Sequence, residues 1–324
     1  MSNLESEPDE LVCVEERPTG SVEILEPREV PLGGPRARPV RRTLPQRARS
    51  LIGAWCFLDH YGPDPVQDGH GMRVPPHPHT GLQTVSWLFA GEIDHRDSVG
   101  SHALVRPGEL NLMTAGSGIA HSEVSTMATT TLHGAQLWVA LPDAARHGAP
   151  FFERFVPEPV AVGPAIIRVF IGSLAGQTSS ARVFSPLLGA QLDLPAGATV
   201  TIPVDESFEH GVLLDSGDVT VDGVQVPRSH LAYLAPGQRE LTLVAGATDA
   251  RLLLIGGAPL GEQIVMWWNF IGRSHDEIVR FREDWQTDVI GGGNDNGRFG
   301  LVRGYDGKPL PAPELPAIRL KPRD

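Results

Sequence analysis

Two short stretches of this chain carry side chains able to hold a metal ion: His77-Pro78-His79 and, after a long gap, His121-Ser122-Glu123. In each, one residue separates the two candidates, so on a β-strand both members point to the same face. Three imidazoles and one carboxylate form a nitrogen and oxygen ligand set acceptable to Fe(II), Mn(II), Ni(II), Cu(II) or Zn(II), which these donors separate poorly. Neither stretch contains a thiolate, and that argues against a purely structural zinc site. A divalent ion held this way keeps a net charge of about +1 and open positions for water, dioxygen or a chelating enolate. Such an ion lowers the pKa of a bound hydroxyl, so an enolisable ligand could enter as its anion, with Glu123 as the base if its carboxylate swings aside.

A lone His-x-His is a weak signal, so the elements that must carry it matter. Ala54-Trp55-Cys56-Phe57-Leu58, Thr84 to Phe89, Leu110 to Met113 and Gln136 to Ala140 are short β-rich runs separated by Gly and Pro. Many short strands with regular turn signals favour an antiparallel sandwich or barrel. The glycines of Ala115-Gly116-Ser117-Gly118-Ile119-Ala120 bend the chain just before His121. The second half repeats this grammar: Gly91-Glu92-Ile93 has a counterpart in Gly217-Asp218-Val219, and the run from Leu110 to Gly116 has one in Leu231 to Gly237. Overlaying the halves puts Pro203 and Asp205 where the first has His77 and His79, and Thr242 where it has His121, so the second copy lacks a metal site.

The expected organisation is a disordered acidic start over 1–20, a metal-binding β-domain over 21–145 and a Pro-rich linker over 146–163. A second β-domain follows over 164–290, then an irregular tail over 291–324. Ser274 and Glu277 stand at capping-box spacing ahead of Ile278, Phe281 and Trp285 on one helical face, which predicts a helix over about 275–286 packed against a barrel.

With 324 residues and a formal net charge of −12, the chain is long enough for two cores and too acidic to favour direct nucleic-acid binding. The exception is a local basic run, Arg36, Arg38, Arg41, Arg42, Arg47 and Arg49. Cys13 and Cys56 form no paired framework, which fits a reducing cytoplasm. The acidic start does not resemble a secretory signal, and no run reaches the ~20 apolar residues needed to span a bilayer, so no membrane association is expected.

The segment from Phe57 to Glu123 resembles the pirin family of the cupin superfamily. The matching residues are Phe57-Leu58-Asp59-His60-Tyr61-Gly62-Pro63, His77-Pro78-His79, Gly91 to Ser98, Arg106-Pro107-Gly108 and Met113 to Glu123. The likeness continues through Val40 to Pro45 upstream and, more weakly, Gly256 to Leu260 and Ile264-Val265-Met266 downstream. It implies an all-β fold of two tandem cupin (jelly-roll-like) β-barrel domains, a bicupin, with a short C-terminal helix. It also implies one metal ion, Fe(II), on His77, His79, His121 and Glu123 of the first barrel, and a vacant second barrel. Thr80 stands where pirins commonly carry a basic residue and Gln83 where they commonly carry Glu, departures expected to alter the pocket rim.

Two functions follow from the resemblance. One is a metal-dependent dioxygenase of quercetinase type, with a small aromatic substrate and dioxygen as partners. The other is a redox-responsive regulator that docks on a transcription factor or a metabolic enzyme, with the basic run as its contact. His60, His95 and His102 stay outside the ligand set: His95 is expected to face outward or to support a ligand, and Asp59 and His60 to fix a loop near the barrel mouth or to hydrogen-bond a ligand. His210, without aligned partners, reads as structural, and Trp267 and Trp268 as core.

Overall fold

The computed structural model describes residues 22–32, 38–66 and 71–323. The disordered start expected over 1–20, with Cys13, and Arg36 of the basic run lie outside them.

Among the described residues each half is a two-layered barrel made of a seven-stranded and a four-stranded antiparallel sheet. In the first, the larger sheet runs Phe151–Phe155, Leu110–Thr114, Leu82–Ala90, Thr131–Ala140, Trp55–Pro65, Arg38–Leu44, Arg28–Leu32, and the smaller one Arg73–His79, Ile119–Ser125, Ile93–Asp97, His102–Val105. The second half repeats the order with Glu23–Leu25, Leu231–Leu234, Glu209–Ser216, Ala250–Gly257, Leu187–Leu194, Ala165–Ile171, Val160–Val162, faced by Thr199–Pro203, Glu240–Ala245, Val219–Val221, Val224–Val226. Alternation along each strand makes both barrels possible, because one set of side chains fills the barrel while the other is left to pack elsewhere.

That second set joins the halves. Leu58, Val85, Trp87 and Leu137 from the back of the first large sheet share one core with Phe170, Leu213, Leu253 and Ile255 from the back of the second. Trp87 stacks on Phe170 with ring centroids 4.5 Å apart, and its Nε1 donates to Gln191 Oε1 at 2.9 Å. Burying aromatic and aliphatic surface this way, at about 25 cal/mol per Å², makes the back-to-back contact a true core.

Three expectations need correction. The stretch 146–163 is no plain linker: Phe151–Phe155 pairs with Leu110–Thr114 at the edge of the first barrel, and Val160–Val162 with Ala165–Ile171 in the second. Glu23–Leu25, placed by sequence in the first domain, instead pairs with Leu231–Leu234 in the second half. Arg49 secures it, donating to Glu23 at 3.0 Å while its guanidinium lies 3.3 Å over the Tyr233 ring. Nor are Arg41, Arg42 and Arg49 of the basic run free for an outside contact. Arg42 is buried against Asp59 (2.7 and 2.9 Å), Arg41 donates to Gly62 O, and Arg49 is engaged as described.

The helix spans His275–Asp284, with Ser274 Oγ accepting from Glu277 N, and continues as a π-helical turn over Trp285–Ile290. Its buried Ile278, Phe281 and Trp285 pack with Trp267, Trp268, Phe270 and Phe299, and Ala120 brings this cluster against the first barrel. Residues 291–322 form no helix or strand; they run back past Arg73–His79, where Leu310 N donates to Pro76 O at 2.8 Å. Among the described residues no helix is long and apolar enough to cross a membrane.

Candidate metal centre

His77 and His121 are register partners on neighbouring strands of the small sheet of the first barrel, and His79 follows two residues on. Paired residues project to one face, so the three rings converge inside, with centroids 4.4 to 5.0 Å apart. The register slips between His121 and Glu123, a bulge of the kind that re-aims a side chain. All four residues are buried.

Backbone carbonyls decide which ring nitrogens face inward. His77 Nδ1 lies 2.8 Å from Pro75 O and His79 Nδ1 3.2 Å from Asn269 O. A carbonyl only accepts, so both Nδ1 atoms carry the proton and both Nε2 atoms present lone pairs. For His121 the argument passes through His95. Asp97, a pure acceptor, lies 3.4 Å from His95 Nε2; His95 Nδ1 is then the acceptor 3.4 Å from His121 Nδ1, which turns the His121 Nε2 lone pair inward. Phe152 stacks on His95 at 4.7 Å and fixes its plane.

Among the described residues the inward lone pairs have no partner that suits them. His77 Nε2 is buried without a hydrogen bond among the described residues, and His79 Nε2 faces His121 Nε2 at 3.1 Å, lone pair to lone pair. That separation is close to the ~3 Å edge of an octahedron built on metal–nitrogen bonds of about 2.1 Å. One ligand atom from each of His77, His79 and His121 lies within 4.8 Å of the others, and the same holds for His95, His121 and Glu123. Burial draws the His77 imidazole down to about 3 and those of His79 and His121 well below their ordinary value, so all three are neutral donors at physiological pH. The donor set thus fits a divalent cation.

Glu123 is oriented from the facing sheet. Ser86 Oγ lies 3.1 Å from Glu123 Oε1 and 3.0 Å from Gln136 Oε1, while Gln136 Nε2 has no partner. Turning the Gln136 amide over lets Nε2 donate to Ser86 Oγ, whose single proton then goes to the carboxylate.

His95 is buried and faces inward, against the outward alternative. The signal was present: Ile93, His95 and Asp97 share one strand face, and the apolar Ile93 marks it as the inner one. Ser86, Gln136 and the Asn269 carbonyl gave no such signal, since they reach the site only through sheet pairing. His102 is half exposed and bonds Asp94 at 2.8 Å, outside the centre as expected. Thr80 and Gln83 do not form a rim: both are buried, Thr80 Oγ1 donating to Ile271 O and Gln83 Nε2 to Thr114 Oγ1 and Arg182 O.

His60 sits at neither the mouth nor the ligands. Its Nε2 lies 2.7 Å from Asp215 Oδ1 of the second barrel, His133 Nε2 is 2.5 Å from the same oxygen, Arg251 Nε bonds Oδ2 at 2.8 Å, and Ser229 Oγ is 3.2 Å from His60 Nδ1. Burial pushes the Asp215 carboxyl up, but hydrogen bonds from His133 and His60 outweigh it and hold it well below the usual range. Although its donor types could bind a metal, this cluster already neutralises its one carboxylate with a guanidinium. It reads as an ion-paired joint between the barrels.

The second barrel carries no equivalent ligands among the described residues. Thr242 pairs with Thr201, and their hydroxyls meet at 3.1 Å on the outer face. Val200, Ile202, Leu241 and Leu243 point inward instead. Pairing therefore sets Thr201, not Pro203, across from Thr242, a shift of two residues from the sequence overlay.

Comparison with known proteins agrees with this architecture. Residues 37–139 match the family profile "Pirin" and residues 189–291 the profile "Pirin C-terminal cupin domain". A Pseudomonas aeruginosa protein named "Putative quercetin 2,3-dioxygenase" is 43% identical over 278 residues, 86% of each chain. A Caulobacter vibrioides pirin-like protein is 37% identical over 291 residues, covering 85% of this chain and 94% of the other. The crystal structure of a quercetin 2,3-dioxygenase from Acinetobacter baumannii superposes with a TM-score of 0.85 at 37% identity, covering 92% of this chain and 97% of that one. With both profiles matched in tandem and relatives of 37–43% identity over most of its length, the chain belongs to the pirin family of metal-binding bicupins.

Proposed function

We propose that His77, His79 and His121, through Nε2, and Glu123, through its carboxylate, hold one Fe(II) ion, and that the protein is a dioxygenase of quercetinase type acting on flavonol-like or other enolisable aromatic substrates. The observation that carries this reading is the set of three inward lone pairs, each fixed by a hydrogen bond on the far side of its ring. The names of the Pseudomonas and Acinetobacter relatives support the substrate class. Bound iron would supply a Lewis acid for the substrate's oxygens and a redox partner for dioxygen.

The protein's own part is holding and moving a proton. Glu123 takes the hydroxyl proton of the substrate onto a carboxylate oxygen, while Ser86 Oγ, 3.1 Å from Oε1, steadies the group. Trp138, whose ring lies 5.2 Å from that of His79 and stacks on Phe57 at 4.0 Å, gives the centre a dry aromatic wall. The regulator reading finds less support, because Arg41, Arg42 and Arg49 are engaged inside the molecule.

Elemental analysis of the purified protein, followed by oxygen uptake and quercetin absorbance with the iron-loaded form, tests the proposal. Oxygen consumption coupled to loss of the flavonol band, absent in His77→Ala, is expected. Iron-loaded protein that behaves identically to His77→Ala would refute the enzymatic reading.

A further inference from the structure

The three imidazoles of the metal centre are oriented by groups of unequal reach. His77 Nδ1 lies against Pro75 O, two residues back on its own strand, and His121 Nδ1 meets His95 on the neighbouring strand of the same sheet. His79 is turned from outside the first barrel: Asn269 O, 190 residues away in sequence, lies 3.2 Å from its Nδ1. Trp138 flanks the His79 ring at 5.2 Å, but an aromatic neighbour does not choose which ring nitrogen carries the proton. The carbonyl makes that choice.

It belongs to a hairpin with an unusual turn. Val265–Trp267 pairs with Phe270–Gly272, leaving Trp268 and Asn269 as a two-residue loop. Trp268 has a φ of +52°, the left-handed conformation that glycine normally supplies at the first central position of such a loop. A tryptophan there is strained, and persists only where its surroundings over-determine it. Its ring is buried, edge-on to Phe270 with centroids 5.4 Å apart, in the cluster that Ile278, Phe281 and Trp285 complete. The hairpin is also laced to the residue after His79. Ile271 N donates to Thr80 O at 3.0 Å, and Gly81, at φ +67°, has no Cβ to collide with Ile271 O. At its base Arg273 Nη2 donates to Leu141 O at 2.8 Å, while Glu277 accepts from Arg273 N at 2.6 Å and Arg146 Nη2 at 3.0 Å. The loop is thus fixed on both sides, and its strain is held where its carbonyl meets His79.

From this arrangement we infer that Trp268 is a positioning residue of the metal centre: its buried ring holds the strained loop so that Asn269 O fixes the His79 tautomer and turns Nε2 inward. Hydrogen bonds on the far side of a ligand ring tune metal affinity in this way. A glycine would take the same φ without strain, yet would leave the loop free to adopt others. Metal binding and docking of the hairpin are then linked, each strengthening the other. The inference rests on His79 as a ligand, and not on iron or on dioxygenase chemistry.

The test is zinc(II) titration of the full-length protein against a competing chelator, with the ring-nitrogen NMR signals of His79 as a second readout. Trp268→Gly is expected to bind zinc about 10 to 100-fold more weakly, with the His79 Nδ1 proton exchanging faster with solvent. Trp268→Phe, which keeps an aromatic ring in the cluster, should restore wild-type affinity. Phe281→Ala, which opens the same cluster away from the loop, should lose stability but keep both the affinity and the His79 signals. Unchanged zinc affinity in Trp268→Gly, or an equal loss in Phe281→Ala, would overturn the inference. Wild-type protein that binds no zinc, or binds it without moving the His79 signals, would sink the ligand assignment and the inference with it. If Trp268→Gly does not fold, hydrogen exchange in the wild type decides. Zinc should slow exchange of the Ile271 amide more than that of Leu254 in the second barrel, and equal effects on the two refute the inference.

Discussion

The two barrels share strand order and differ in what their large sheets turn inward. In the first, Asp59, Gln136, Ser86 and Asn111 stand in register across four strands, a polar row beside Glu123. In the second, Ala190, Leu254, Val212 and Ala232 form the corresponding kind of row, wholly apolar. One barrel gives up cohesive interior for polar groups around the candidate metal centre, leaving Asn111 with neither amide atom paired among the described residues. The other keeps a cohesive interior and supplies the back face against which the first is braced. The difference resides in the inner face, and the strand order is common to both.

The comparison breaks most sharply at the ligands. Replacing His121 with Ala should lower metal affinity more than about 100-fold, beyond the 10 to 100-fold typical of supporting residues, while Thr242→Ala leaves metal content unchanged. Elemental analysis after dialysis against a chelator reads both; metal retained by His121→Ala would end the asymmetry. Next comes the aliphatic row. Leu254→Ala should cost about 2–5 kcal/mol in chemical denaturation, whereas Ser86→Ala in the polar row should change stability by about 1 kcal/mol or less and act on metal binding instead.

A finer cut is His95→Phe, which can keep the stacking against Phe152 but removes the acceptor for His121 Nδ1. Metal affinity should fall about 10 to 100-fold with the fold intact, and the spectrum of the metal-loaded protein should shift. An unaltered affinity would show that His121 needs no support. The smallest effect is on pH. Burial holds the His210 imidazole down to about 4, with Asp205 pulling weakly the other way, against 6.5 in the unfolded chain. Above pH 6.5 neither state is protonated there. As pH falls from 6.5 toward 4, the unfolded chain takes up a proton that the folded barrel refuses, so stability drops by about 1 kcal/mol per pH unit from this group. His210→Leu should flatten that part of the pH–stability profile, and an identical slope in the two proteins would remove His210 from the account.

Much of this was legible before any coordinates. Period-two spacing put His77 with His79 and His121 with Glu123 on common faces; short runs, glycine turns and the internal repeat pointed to two antiparallel β-domains, and the resemblance to pirins implied that they are barrels. The capping box at Ser274 marked the helix start within a residue. What stayed hidden depends on pairing between distant strands. Nothing local to Ser86 or Gln136 says that they lie beside Glu123, because register is fixed by the sheet as a whole. His60 was misplaced for the same reason: its partner Asp215 is more than 150 residues away, in the other barrel. The prolines of 146–163 suggested a break, yet edge strands tolerate proline nearby, and both strands in that stretch lie at sheet edges.

The strand Glu23–Leu25 has a consequence for how the molecule comes into being. Its partner Tyr233 leaves the ribosome more than two hundred residues after it, on the order of 10 to 40 s later at ordinary synthesis rates. Assembly therefore cannot proceed strictly from front to back. This strand must wait for its partner in the far half to be made, and its docking, clasped by Arg49, comes only after translation has passed the middle of the second barrel.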